Sequence, residues 1–147
     1  MKDICITATL VLLNYGVASA QIDTLNRKMV PMSQTNERPY KIGSIYFKKG
    51  ETEPFTGVLF GKYDNGNYLT LQEYEEGIGN GKWVNYYKDG TLKEVGTYRD
   101  NLVEGPILQY HPNGNLKAKG NYKHWKKKIG IWKYYDTSGK LVKTASY

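Results

Sequence analysis

The chain is poor in the residues that usually carry chemistry. Of its 147 residues one is cysteine, Cys5, and two are histidine, His111 and His124. Cys5 lies in a segment expected to be removed, so neither a disulfide nor thiol chemistry is expected in what remains. The histidines have no helical i, i+4 partner and no Cys/His cluster, so the pattern of a zinc site is missing. No Gly-x-Ser-x-Gly occurs, and with it goes the usual setting of a serine nucleophile. Glu73, Glu75 and Glu76 are the densest carboxylates, but they fall at a strand end and connector where charge is normally solvated. Gly77-Ile78-Gly79-Asn80-Gly81 has the glycines of a phosphate-cradling loop and no helix after it to meet a phosphate. The expectation is a protein without catalytic residues, metal or cofactor. Apolar residues are scarce too, at 39% with a mean hydropathy of −0.63, which is thin for a thick core.

What the chain has instead is tyrosine, glycine and a period. There are 14 tyrosines, and aromatic residues make up 14% of the chain. Glycines recur at Gly57, Gly81, Gly105 and Gly130, and again at Gly66, Gly90, Gly114 and Gly139. Tyrosines recur in the same register at Tyr74, Tyr98, Tyr122 and Tyr147. Three landmarks sharing spacings of 24, 24 and 25 residues mark an internal repeat. The dipeptides Asn65-Gly66, Asp89-Gly90, Asn113-Gly114 and Ser138-Gly139 are hairpin formers, and two-residue type I′ turns are expected there. Flanks rich in aromatic and β-branched residues suit strands. With Asp89-Gly90 as the turn, Tyr87 faces Leu92, Trp83 faces Gly96 and Gly81 faces Tyr98. A ring over a cross-strand glycine covers exposed backbone. The equivalents of Trp83 are Leu59, Ile107 and Trp132, set against Gln72, Gly120 and Ala145. The first repeat is the most divergent, as a capping repeat would be.

The pattern Gly-x-Trp-x-x-Tyr-Tyr-x-x-Gly-x-Leu-Lys-x-x-Gly-x-Tyr resembles the bacterial variant of the MORN repeat. The resemblance runs from about Tyr46 to Tyr147, including the lead-in Tyr46-Phe47-Lys48-Lys49-Gly50 and Glu53-Pro54-Phe55-Thr56-Gly57. It implies an all-β fold: tandem 24-residue hairpins side by side in an elongated, single-layer antiparallel sheet. It implies no shared catalytic residues. Such repeats are mostly interaction or membrane-proximal modules, and bacterial members often carry an antitoxin-like label.

Residues 1–20 read as a secretory signal peptide. Lys2 is the basic start, Ile4 to Leu13 the apolar run, and Ala18-Ser19-Ala20 the small-residue site before Gln21. The run is too short to span a bilayer, which takes roughly 20 apolar residues. The competing reading is a buried N-terminal strand or helix. Residues 21–39, polar and with Pro31 and Pro39, are expected to be a linker. The repeat domain is expected over 40–147, with a lead-in at 40–56 and repeats at 57–80, 81–104, 105–129 and 130–147.

The net charge of +7 is uneven. Residues 106–147 hold nine lysines and one acid, Asp136, a balance of +8 against −1 for the rest. That asymmetry points to an anionic surface, lipid headgroup, acidic glycan or acidic protein, or simply to lysines that solubilise exposed strands. The connector between the third and fourth hairpins is one residue longer than the others. It reads Lys123-His124-Trp125-Lys126-Lys127-Lys128-Ile129. Trp125, Lys126, Lys127 and Lys128, with His124, are the candidate binding residues: an indole to stack and ammonium groups to meet carboxylate or phosphate. The plainer alternative packs Trp125 on the sheet and leaves the lysines solvated. The expected role is an exported, non-catalytic module, periplasmic or secreted, that binds a protein partner in the cell envelope. The alternatives are an anionic envelope lipid or glycan, or an antitoxin-like neutralising role. Nucleic acid is a poor candidate for an exported protein.

Overall fold

Twelve strands and a single 3-10 turn account for the regular structure of residues 21–147, the part of the chain that the computed structural model describes. The expected signal peptide lies outside the described residues. The repeats supply β4 (Gly57–Lys62) and β5 (Tyr68–Glu75), β6 (Ile78–Tyr86) and β7 (Leu92–Arg99), β9 (Gly105–Tyr110) and β10 (Leu116–Lys123), and β11 (Lys127–Tyr135) and β12 (Leu141–Ser146). These strands lie in chain order in one antiparallel sheet, with the short β8 (Leu102–Val103) paired to β7. All-β, tandem-hairpin architecture is therefore what the sequence folds into.

The cross-strand register follows the landmarks. Gly57 pairs with Tyr74, Gly81 with Tyr98 and Gly105 with Tyr122, and Trp83 faces Gly96 as Ile107 faces Gly120. Close to the turns the expectation fails. Tyr86, not Tyr87, pairs with Leu92, because the register shifts at the end of β6. Tyr87 N–H donates to the Thr91 carbonyl and Gly90 N–H to that of Tyr87, leaving Lys88, Asp89 and Gly90 in the loop. Only Gly90 of these has positive φ, at 89°. This is a three-residue loop ending in a left-handed glycine, not a two-residue type I′ turn. Asp89 contributes through its carboxylate, which accepts the Thr91 N–H at 2.8 Å. Two-residue turns with both φ positive occur at the opposite end of the sheet instead. Glu76 and Gly77 join β5 to β6, and Asp100 and Asn101 join β7 to β8.

The hairpins are laced to one another by a repeated bond. The hydroxyls of Tyr63 and Tyr87 donate to the carbonyls of Tyr86 and Tyr110 in the next repeat, each at 2.9 Å. His111 Nε2 donates to the Tyr135 carbonyl at the same distance. His111, just past the end of β9, thus takes the place that Tyr63 and Tyr87 hold in the earlier repeats.

Residues 21–39 are not a linker. They form β1 (Met29–Pro31), the 3-10 turn Met32–Gln34 and β2 (Thr35–Pro39). β1 pairs in parallel with the edge of β4, and β2 pairs with β3 (Ser44–Lys48) in a separate two-stranded sheet. So the lead-in strand, expected to open the repeat domain, lies outside the main sheet. The segment has too few apolar residues to show a period, yet Ile22, Met29, Val30 and Met32 pack on faces that the first hairpins expose, while Leu25 stays exposed. Val30 joins Phe55, Leu59 and Tyr74 on the face that carries Trp83; Ile22 joins Val58, Leu71 and Val84 on the other. The sheet is covered on both faces at its N-terminal end, and β1 shields backbone that an edge strand would leave open. Farther along, a single cluster remains, built of Trp83, Val103, Ile107, Ala118, Tyr122 and Trp132.

Candidate interaction site

The third long connector, between β10 and β11, differs from its counterparts in length and in backbone. Lys123 pairs with Lys127, so His124, Trp125 and Lys126 form the loop. All three have positive φ, at 40°, 53° and 65°. None is glycine, and an L-residue held in the left-handed region costs roughly 1–2 kcal/mol. The equivalent turns hold two positive-φ residues each, Glu76 with Gly77 and Asp100 with Asn101, so one of each pair is a residue suited to that region. Strain concentrated in three consecutive side-chain-bearing residues is the kind found where backbone conformation serves a purpose.

The strain holds Trp125 out. Its side chain is 62% exposed, whereas Trp83 and Trp132 are 1% and 0% exposed. Below it lies a cleft of about 380 Å³ lined by Tyr46, Tyr74, Tyr98, Val103, Trp125 and Lys126, among others. The lead-in hairpin of β2 and β3 forms one wall. Asn101 pins it there by donating its amide to the carbonyls of Ile42 at 2.7 Å and Ser44 at 3.0 Å. Tyr46 meets Tyr74 edge to face, with ring centres 5.1 Å apart. Burial pushes the pKa of the Tyr74 and Tyr98 hydroxyls above the ordinary phenol value.

The candidate lysines do not act together. Strand alternation sends Lys127 and Lys128 to opposite faces. Lys126 Nζ lies 5.4 Å over the ring of Trp83. Lys127 projects with Lys123 to the far face. Lys128 is held by three rings, 4.6 Å from the centre of Trp132, 5.0 Å from Tyr147 and 5.3 Å from Tyr134, and it donates to the Tyr134 hydroxyl at 2.9 Å. That hydrogen bond raises its pKa. Lys128 is part of the array's packing. The connector's outward side is therefore His124, Trp125 and Lys126, with Lys127 on the reverse.

The connector stands out in the sequence, and the cleft beneath it does not. Tyr74 and Tyr98 were visible as landmarks, and the 24-residue register already put them on one face at the connector end. Tyr46 and the lead-in wall had no such signal, since a non-repeated segment carries no register. Among the described residues, no group of three or more histidine, cysteine, aspartate or glutamate side chains could hold a metal ion.

The geometry is that of a tandem β-hairpin repeat protein with an exposed indole on one connector. Residues 80–100, 103–124 and 128–147 each match the MORN repeat variant. The first hairpin lies outside the matched residues; it is the one that sets Leu59 against Gln72 where the others set Trp83, Ile107 and Trp132 against glycine or alanine. No curated protein and no solved structure matches the chain.

Proposed function

We propose that this protein is an exported, non-catalytic repeat module that binds another protein in the cell envelope through the β10–β11 connector. The observation that carries the reading is the run of three strained, non-glycine residues presenting an exposed indole. A solvated turn gains nothing from that arrangement, whereas an aromatic anchor held ready spares a partner part of the ordering cost. MORN repeats as a class serve as interaction modules, which favours binding over chemistry. Export rests on residues 1–20, whose apolar run and small-residue site have the form of a cleaved signal.

Two measurements in the native host test this. Intact-mass analysis is expected to give an N-terminus at Gln21, and a cytoplasmic form retaining Met1 would remove export and favour the antitoxin-like alternative. A photo-reactive residue at position 124 is expected to cross-link one discrete envelope protein, while the same residue at position 133 does not.

A second reading has its own observation. Lys119, Lys123, Lys127 and Lys133 share the face opposite Trp132 with Ile131, 63% exposed, and Val142, 59% exposed. That basic, part-apolar face suits an anionic lipid or glycan surface. Its binding would weaken as salt shortens the Debye length, to about 8 Å at 0.15 M ionic strength. Cross-linking from position 133 to lipid or glycan would favour it.

A further inference from the structure

We infer that the cleft under Trp125 takes an aromatic side chain with a carboxylate beside it, as an acidic segment of a partner protein presents. The inference rests on the reading of the connector as a binding element, and it supplies the chemistry of the partner.

Its first support is shape. A space of about 380 Å³ is at the lower end for ligand sites, suited to one side chain and its neighbour. Rings from the lead-in hairpin, two successive repeats and the connector line it, so a flat apolar group meets ring faces or edges on several sides.

Its second support is the state of the polar groups. Asn101 accepts from Gly79 N–H at 2.7 Å and gives its amide to the Ile42 and Ser44 carbonyls. The Tyr74 hydroxyl donates to Gln72 Oε1 at 3.1 Å. Those groups are already engaged, which leaves the hydroxyls of Tyr98 and Ser44 for a ligand, whereas an aromatic ring asks for no partner. This favours a flat apolar group with few polar atoms.

Its third support is charge. Lys126 is the one charged side chain among the residues lining the cleft. It stands at the connector next to Trp125, while Lys123 and Lys127 project to the far face. A carboxylate next to the inserted ring would meet that ammonium, and a lysine or arginine there would be repelled.

The test uses the full-length mature chain and N-acetylphenylalanine as probe. Its neutral amide and N-acetylaspartate, which lacks the ring, serve as comparisons. Backbone amide NMR shifts at Tyr98, Val103 and Trp125 are followed, together with iodide quenching of fluorescence. Quenching reports Trp125, since Trp83 and Trp132 are buried. The expected result is saturable binding at about 1 mM, as befits so small a ligand. The amide and N-acetylaspartate are each expected to bind roughly fivefold more weakly, a difference of about 1 kcal/mol. Trp125→Ala should weaken all binding, and Lys126→Gln should weaken the acid while leaving the amide unchanged.

Absence of saturable shifts at these residues overturns the inference, and equal binding of acid and amide overturns its charged half. Protection of Trp125 by phosphatidylglycerol vesicles without any effect of the probe overturns it in favour of a membrane contact. If the probe fails while position 124 cross-links a protein, the cleft is wrong and the interaction reading stands. If the probe binds and no protein is cross-linked, the cleft stands and that reading falls.

Discussion

Gly120 lacks a side chain because Trp132 occupies the space one would take: a Cβ there would fall on the indole. Its backbone is not in the left-handed region, so the requirement is purely one of packing. Gly96 is similar, with Trp83 2.5 Å from where its Cβ would sit. Gly120→Val is expected to cost 1–3 kcal/mol, the usual range for overpacking. Lys119→Val, one residue away on the open face, should stay within about 0.5 kcal/mol. Urea midpoints that move equally would mean the indole can shift aside. Lys128 and Lys127 give a second contrast between adjacent residues. Lys128→Gln loses contact with three rings and the bond to Tyr134, and a loss of about 1 kcal/mol is expected. Lys127→Gln, exposed on the far face, should change the midpoint little. Equal effects would mean the ring cage contributes no stability.

At the scale of the element, the hairpin arm is governed by alternation and the turn by local backbone demands. Lys126 stands at φ 65°, where glycine is free of strain. Lys126→Gly is therefore expected to stabilise the array by about 0.5–1 kcal/mol, part of the relieved strain being offset by glycine's freedom in the unfolded chain. A fall in the urea midpoint would show that the contact of Lys126 with Trp83 outweighs the strain. The same division explains what could be read from the sequence. Period and pairing were legible because Gly81, Trp83, Gly96 and Tyr98 recur in register, and a repeat repeats its contacts. Turn type was not, because Asp89-Gly90 suits both a two-residue turn and a three-residue loop. The choice fell to bonds such as that from Thr91 N–H to Asp89, which spacing does not reveal. The role of residues 21–39 was hidden for another reason. Ile22 stands alone among polar residues and Val30 in a run of only four, Met29 to Met32, and their burial depends on faces that exist only once the hairpins have formed.

For the whole molecule, buried phenols set the pH range over which the array holds together. Burial raises the hydroxyl pKa values of Tyr46, Tyr74, Tyr86, Tyr98, Tyr110 and Tyr122 above the ordinary value of 10.0. These tyrosines span the lead-in and the first three hairpins, and neighbouring repeats share contacts, so ionising one weakens the packing of the next. Below the ordinary value both the folded and the unfolded chain hold these protons, and the stability is complete. Above it the unfolded chain releases them first, so stability falls as pH rises toward the folded-state values. Lys128 acts in the same sense. The hydrogen bond to Tyr134 raises its pKa, so its contribution is full below the ordinary value of 10.5 and is lost above it. The urea midpoint is therefore expected to stay level from about pH 7 to 9 and to drop between about pH 10 and 12. Tyrosinate absorbance should appear in step with loss of the β-sheet circular dichroism signal. If these tyrosines instead titrate near their ordinary value while the sheet persists, their hydroxyls reach water in the folded state. The tyrosine rows would then be a solvated surface of the array and not part of its core.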